Sequence, residues 1–117
     1  MPTRRADFPG HAGDTLAARL DLPEGAPRGA ALLAHCFTCS KDLVAARRIA
    51  AALAARGFAV LRFDFTGLGH SEGEFANTGF TSNVADLKAA AHWMENEGIA
   101  PTLLVGHSLG GAAVLAA

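Results

Sequence analysis

Apolar runs and helical apolar stripes alternate along the chain, with turn-forming residues between them. Residues 4–8 (RRADF) and 15–22 (TLAARLDL) are predicted strands, and the turn-rich loop PGHAGD between them favours a β-hairpin. Three later runs are continuously apolar: AALLAHCF (30–37), FAVLRFDF (58–65) and PTLLVG (101–106). Such runs are typical of strands covered on both faces. The pattern therefore predicts a hairpin followed by three buried strands.

A helix is predicted after the first buried strand, over residues 41–57. Its apolar residues recur every three or four positions, at Leu43, Ala46, Ala50 and Leu53. Ser40 before it is a candidate N-cap, and Gly57 at its end is suited to a left-handed cap.

A second helix is predicted over residues 84–98, after the second buried strand. It carries an apolar stripe at Val84, Leu87, Ala91 and Met94. We expect it to begin after the cap-forming residues Thr81, Ser82 and Asn83 and to end at Gly98. A further helix begins within residues 109–117. Alternating strands and helices predict an α/β fold: a hairpin, then parallel strands with right-handed crossovers and helices on both faces, in three α/β/α layers.

The composition limits the classes of partner that the protein is expected to bind. Half of the 117 residues are hydrophobic, and 10 Lys and Arg nearly balance 11 Asp and Glu, so no basic surface for nucleic acid or an anionic membrane is indicated. No secretory signal and no run of about 18 apolar residues occurs, which favours the cytoplasm. The balanced charge favours a small neutral molecule as the partner, and no cofactor is expected; the motif described next makes a small-molecule acyl substrate the expected one.

The sequence GHSLG at residues 106–110 carries the candidate chemistry. It lies between an apolar strand and a helix start, which is the context of a nucleophile elbow. The sharp turn requires small residues on either side of Ser108, and Gly106 and Gly110 provide them. The backbone N–H of Leu109, at the helix start, could stabilise an oxyanion.

Three motifs resemble those of the α/β-hydrolase superfamily: GHSLGG, HCFTCS after an earlier strand, and DFTGLGHSEG after the next. Together with SNVADL, they are most similar to the N-terminal hydrolase module of bacterial proteins that fuse an α/β-hydrolase to an OsmC-like domain. The resemblance covers nearly the whole chain, and its motifs occur in the expected order.

The resemblance implies a role for individual residues. Ser108 matches the nucleophile, and the backbone N–H groups of Leu109 and Phe37 match the oxyanion donors. One wall of the site is assigned to residues of the loop after the second parallel strand: Asp64, Gly67, Gly69 and Ser71. Thr66 stands where many relatives carry Arg, and Cys36 stands where most carry Gly. The implied activity is that of a serine hydrolase, an esterase, acyl-hydrolase or peptidase-like enzyme working through an acyl-enzyme.

Two alternatives remain open. Cys36 and Cys39 form a C-x-x-C sequence at a strand-to-helix junction, which is also typical of thiol-redox modules and would fit a peroxide-response role. A thiol pair without chemistry, within the oxyanion loop, is the simpler interpretation, and zinc would need a second ligand pair. The elbow could also serve a non-catalytic α/β scaffold.

The position of the histidines leads to a further expectation. In this fold the acid and then the base follow the nucleophile, but none of the five histidines follows Ser108: His11, His35, His70, His92 and His107. We therefore interpret residues 1–117 as the N-terminal portion of one hydrolase domain, inactive alone. His70 is a candidate substitute base, His11 a solvated turn residue and His92 a surface or half-buried residue. The last strand would be an exposed apolar edge, open to a homodimer or other edge association.

Overall fold

The computed structural model describes residues 3–11, 13–34, 44–64, 71 and 80–106. Its regular elements are, in chain order, β1 (Thr3–Pro9), β2 (Thr15–Asp21), β3 (Gly29–Ala34), α1 (Val44–Ala55), β4 (Phe58–Phe63), α2 (Phe80–Asn96) and β5 (Leu103–Gly106). The predicted hairpin, the three later strands and the first two helices are confirmed in order, and β3 and β4 are buried, whereas Leu103 and Leu104 of β5 are each 39% exposed. The helix expected within residues 109–117 lies outside the described residues.

The strands form one mixed sheet in the order β1-β2-β4-β3-β5. β1 pairs antiparallel with β2, and β2 pairs antiparallel with β4. β3 lies between β4 and β5 and is parallel to both. The sheet is thus a parallel three-stranded unit with the hairpin added at one side, as the alternation of strands and helices predicts.

Each face of the sheet carries its own core, because alternate strand residues point to opposite sides. The larger core packs against α2 and includes Leu32, Leu61, Phe63, Leu87 and Met94. The smaller core packs against α1 and includes Leu33, Val60, Ala46 and Ala50. Each fully buried Leu or Phe side chain contributes roughly 2 kcal/mol through removal of apolar surface from water. Helices on both faces confirm the three-layer architecture.

Both described helices end where the sequence predicts. Gly57 follows α1 with φ 94°, and Gly98 follows α2 with φ 79°, in the left-handed region that glycine adopts without strain. The N–H of Gly57 donates to the carbonyl of Ala54, and the N–H of Ile99 reaches back to the carbonyl of Met94. These bonds satisfy carbonyl groups that each helix end would otherwise leave free.

The predicted start of α2 is wrong. The helix begins at Phe80, so Thr81, Ser82 and Asn83 lie within its first turn and do not precede it. Asn83 is buried, and it stands one helical turn before Leu87, which belongs to the core under α2. The burial of Asn83 within the helix therefore outweighs its preference for a cap. The candidate cap Ser40 and Leu43 lie outside the described residues.

A buried ion pair joins the hairpin to the parallel strands on the α1 side. Arg62 Nε lies 2.7 Å from Asp21 Oδ2, and both residues are less than 10% exposed. Thr3 Oγ1 donates to the other oxygen of Asp21 at 2.6 Å. Because these residues lie on β4, β2 and β1, one carboxylate ties three strands together.

The two edges of the sheet differ in character. β1 exposes Arg4, Arg5 and Asp7 and ends in Pro9, which are features that discourage pairing with another chain. β5 has no charged residue, and Leu103 and Leu104 are each 39% exposed. The expected apolar edge is therefore present, while association through it stays a prediction. Of the two helices in the described part of the chain, neither combines the length and hydropathy that a membrane span requires.

Candidate active site

The three parallel strands end in one row. Ala34, the last residue of β3, is the register partner of both Phe63 at the end of β4 and Gly106 at the end of β5. In open α/β sheets, ligands bind in the crevice outside the carboxyl ends of the strands. This edge is therefore where a site is expected.

The segments that carry the predicted catalytic groups leave the sheet from adjacent positions on this edge. Gly106 is the last residue of β5, as the elbow requires, and Ser108 follows two residues later. Phe37 follows Ala34 by three residues. Because Ala34 and Gly106 are register partners, the nucleophile and the second oxyanion donor follow neighbouring strand ends. Ser108, Leu109, Gly110 and Phe37 themselves lie outside the described residues.

β5 is fixed at its other end by a threonine. The backbone N–H of Thr102 donates to the carbonyl of Ala30 at 2.8 Å, and Thr102 Oγ1 donates to the same oxygen at 3.2 Å. The N–H of Ala30 in turn donates to Thr102 Oγ1 at 3.4 Å. Thr102, the residue before β5, thus bonds to Ala30 of β3 at the amino-terminal end of the strand.

Asp64 and Ser71 are the described members of the predicted site wall. Asp64 directly follows β4 and is fully buried, and its N–H donates to the carbonyl of Ala17 at 2.9 Å. The Ser71 hydroxyl donates to the carbonyl of Asp64 and accepts the N–H of Ala17 at 2.9 Å. Both ends of the segment between Asp64 and Ser71 are therefore bonded to the sheet edge. Thr66, Gly67 and Gly69 lie outside the described residues.

The turn of the hairpin reaches the same edge and holds a pair that the sequence did not predict. Asp86 of α2 is fully buried, and its Oδ1 lies 2.7 Å from Nδ1 of His11. The backbone N–H of His11 donates to the same oxygen at 2.9 Å. His11 is an exposed turn residue, as expected, but its side chain is only 21% exposed because it turns towards Asp86. An acidic residue one position from Leu87, on a helix face otherwise facing the core, was the signal for such a pair.

This His–Asp pair stands at the hairpin end of the sheet, away from the end of β5. His11 lies on the turn that leads into β2, and β2 is separated from β5 by β4 and β3. Three strand spacings place β2 about 14 Å from β5. A general base must come within hydrogen-bond reach of the hydroxyl. His92 is exposed on α2, as expected, and His35, His70 and His107 lie outside the described residues.

Asn83 presents an unsatisfied acceptor near the start of α2. Its Oδ1 has no hydrogen-bond partner, although the residue is only 3% exposed, and it is the single such buried side-chain atom found among the described residues. Native proteins leave few such groups unpaired, and a bound water or an added donor usually satisfies them.

Two shallow depressions formed by described residues lie at the amino-terminal edge of the sheet. One, of about 300 Å³, is lined by Pro23, Glu24, Ala54, Ala55 and Gly57. The other, of about 210 Å³, is lined by residues 27–30 and 98–100. They lie at the opposite end of the strands from Gly106 and do not belong to the candidate site.

The alternative site types lack described residues to test them. Cys36 and Cys39 lie outside the described residues, so a thiol-redox role stays a prediction. Within the described ranges, no three His, Cys, Asp or Glu residues are grouped as metal ligands.

Comparison with known proteins agrees with the fold. Residues 25–117 match the family model described as serine aminopeptidase, S33. The crystal structure of the esterase domain of a Rhodothermus marinus protein is 50% identical over 99% of this chain and 44% of its own, with a TM-score of 0.78. No curated protein sequence matches the chain.

Two further solved structures share the architecture. XC6422 from Xanthomonas campestris, described as an α/β serine hydrolase without a lid, is 28% identical over 98% of this chain and 56% of its own, with a TM-score of 0.84. Est1E from Butyrivibrio proteoclasticus, solved with ferulic acid bound, is 25% identical over 94% of this chain and 45% of its own, with a TM-score of 0.85. The chain thus spans about half the length of the structures that it matches.

Proposed function

Since the chain belongs to the serine aminopeptidase S33 family of α/β-hydrolases, we propose that the protein is a serine hydrolase that cleaves a small acyl ester through an acyl-enzyme on Ser108. The observation that carries the proposal is the register of Ala34 with Gly106. It makes the elbow and the oxyanion loop continuations of neighbouring strand ends. An acyl carbonyl bound there would meet the hydroxyl of Ser108 and N–H donors from both segments.

The proposed reaction has two steps. The Ser108 oxygen attacks the acyl carbonyl as a base removes its proton, and the N–H groups of Leu109 and Phe37 stabilise the oxyanion. The alcohol leaves with that proton, and water then releases the acid from the acyl-enzyme. No described histidine can supply the base, because His11 is too far from β5 and His92 faces solvent. The activity is therefore proposed for a gene product that also contains a triad acid and base.

An ester is favoured over a peptide as the substrate. The Rhodothermus marinus relative is described as an esterase domain, and Est1E was solved with a carboxylic acid, ferulic acid. Both are consistent with a site that releases an acid from an acyl-enzyme. The family description names an aminopeptidase, so a peptide-like bond is the competing substrate class. The fusion to an OsmC-like domain and the cytoplasmic location stay predictions.

The test is a fluorophosphonate probe applied to the longest product that the gene encodes. We expect labelling of Ser108 in the wild-type protein and none in Ser108→Ala, with unchanged circular dichroism as the control for folding. Hydrolysis of p-nitrophenyl acetate, compared with an aminoacyl p-nitroanilide, would separate ester from peptide chemistry. A folded product that neither reacts with the probe nor cleaves either substrate contradicts the proposal.

A further inference from the structure

Three arginines stand in one row across the hairpin and β4. Arg5 of β1 is the register partner of Arg19 of β2, and Arg19 is the register partner of Arg62 of β4. Arg62 follows Val60 of the smaller core by two residues, so the row projects from the same face of the sheet as α1 packs on. Register partners have Cα atoms about 5 Å apart. Like charges directly opposite each other destabilise a sheet, so this row favours a nearby negative charge.

The structure supplies that negative charge to only part of the row. The buried Asp21 carboxylate lies 2.7 Å from Arg62 Nε, and its other oxygen accepts a hydrogen bond from Thr3. Arg5 is exposed and Arg19 is half-buried, and neither forms an ion pair with a described residue. Two neighbouring guanidinium groups therefore lack an anionic partner within the described part of the chain.

α1 extends the positive charge beside the hairpin. It packs against β2, β3 and β4, exposes Arg47 and Arg48, and contains no acidic residue. Among the described residues of β1, β2 and α1, Asp7 is the single exposed acid on this side of the sheet. On the opposite side, by contrast, the exposed Arg4 pairs with Glu97 at 3.1 Å. The α1 side is thus basic, although the net charge of the whole chain is −1.

We propose that this basic face, formed by Arg5 and Arg19 of the hairpin with Arg47 and Arg48 of α1, docks an acidic helical segment of a partner protein. The planar guanidinium group of arginine matches a carboxylate with two parallel hydrogen bonds. Glutamates three or four positions apart on a helix have Cβ atoms about 5–6 Å apart, which fits the spacing of about 5 Å along the arginine row.

A protein segment fits this face better than a nucleic acid does. Asp7 lies two residues from Arg5 on the same face of β1 and would repel an unbroken phosphate backbone. A protein segment can place a neutral or basic side chain opposite Asp7 and its carboxylates opposite the arginines. The inference does not depend on the proposed hydrolase function, because none of these residues is assigned to the reaction.

The test measures the fluorescence anisotropy of a labelled peptide mixed with the longest product that the gene encodes. The probe is a helical peptide of about 20 residues with glutamates three and four positions apart, and the same peptide with glutamine at those positions is its control. We expect only the glutamate peptide to bind. Its affinity should fall as NaCl is raised from about 0.1 M to 1 M, because salt screens exposed charges.

Variants of the protein locate the contact. Arg5→Gln combined with Arg19→Gln should raise the Kd of the glutamate peptide on the order of tenfold, and Arg47→Gln combined with Arg48→Gln should raise it as well. Arg4→Gln is the matched control, since it removes the same charge from the adjacent residue of β1, on the opposite face, and should change Kd less than about twofold. Unchanged circular dichroism of each variant is the control for folding.

Several results would overturn the proposal. The basic face does not dock acidic segments if the glutamate peptide fails to bind at about 0.1 M NaCl, or if the glutamine peptide binds equally well. The same holds if the double variant of Arg5 and Arg19 keeps the wild-type Kd, or if Arg4→Gln weakens binding as much. If a DNA duplex binds more tightly than the peptide and loses affinity in the same variants, the occupant is a nucleic acid and the protein partner is wrong.

Discussion

Asp86 Oδ1 makes two contacts with His11: it accepts a hydrogen bond from the backbone N–H at 2.9 Å and lies 2.7 Å from Nδ1. His11 belongs to the turn between β1 and β2, and Asp86 lies on α2 beneath it. The pair therefore fastens the hairpin to the helix that covers the larger core.

Removal of the Asp86 carboxylate should weaken the whole hairpin. Asp86→Ala leaves the N–H and Nδ1 of His11 without this acceptor in a partly buried position, and we expect a loss of about 1–3 kcal/mol in the free energy of unfolding. Urea denaturation measures it as a lower midpoint. Glu95→Ala, at an exposed position of the same helix, is the control and should stay within about 0.5 kcal/mol of the wild type. Equal midpoints for the two variants would contradict the role given to Asp86.

The close approach of the hairpin turn to Asp86 also explains why residue 10 is a glycine. A Cβ atom at this position would lie 2.8 Å from Asp86 Oδ1 and 2.9 Å from two carbons of Leu16. Gly10→Ala should therefore force the turn away from α2 and cost about 1–3 kcal/mol. Gly13 in the same turn is a useful contrast, because a Cβ atom added there would meet no other atom within 4 Å and its φ is 86°.

Asn is the control at Gly13, since it tolerates a positive φ better than other residues with a side chain. Gly13→Asn should keep most of the stability, and a thermal melt of each variant would check both values. If Gly13→Asn lowers the melting temperature as much as Gly10→Ala, then loss of glycine flexibility, and not contact with Asp86, governs the turn.

The order of the elements could be predicted because it depends on local patterns. Continuous apolar runs indicated β3, β4 and β5, and glycines marked the ends of α1 and α2 at Gly57 and Gly98. The start of α2 could not be predicted in this way, since Asn83 is typical of a cap in the sequence but is buried in the first turn of the helix. Such burial depends on tertiary packing, which no local pattern shows.

In the candidate site, too, local features could be predicted from the sequence, whereas contacts between distant residues could not. The elbow after Gly106 stays a prediction from its flanking strand and its spacing, and β5 ends at Gly106, where the motif requires a strand end. The Asp86–His11 and Asp21–Arg62 pairs join residues 75 and 41 positions apart, and no local signal links such partners. The contacts of the Ser71 hydroxyl with Ala17 and Asp64 likewise emerge only once the register of β2 and β4 is known.

The buried pair of Asp21 and Arg62 should be far more sensitive to single than to double substitution. Asp21→Ala leaves a guanidinium in a site that is less than 10% exposed, and we expect a loss of about 3–5 kcal/mol. Replacement of both residues, as Asp21→Leu with Arg62→Met, should recover a large part of that loss. The exposed pair of Arg4 and Glu97 is the control, because its removal should cost less than about 1 kcal/mol. Denaturant unfolding of the variants gives the comparison, and a double variant as unstable as Asp21→Ala would contradict it.

The apolar edge of β5 should make the 117-residue chain associate with itself. Leu103 and Leu104 are each 39% exposed, and β5 carries no charge that would repel a second copy, unlike β1 at the opposite edge. A lysine at this edge disfavours strand pairing between chains. Leu104→Lys should therefore shift sedimentation from dimers or larger species towards monomer. Ala52→Lys adds the same charge at an exposed position of α1 and should leave the distribution unchanged. A wild-type chain that sediments as a monomer at all concentrations, or an equal shift in both variants, would show that β5 is not the contact.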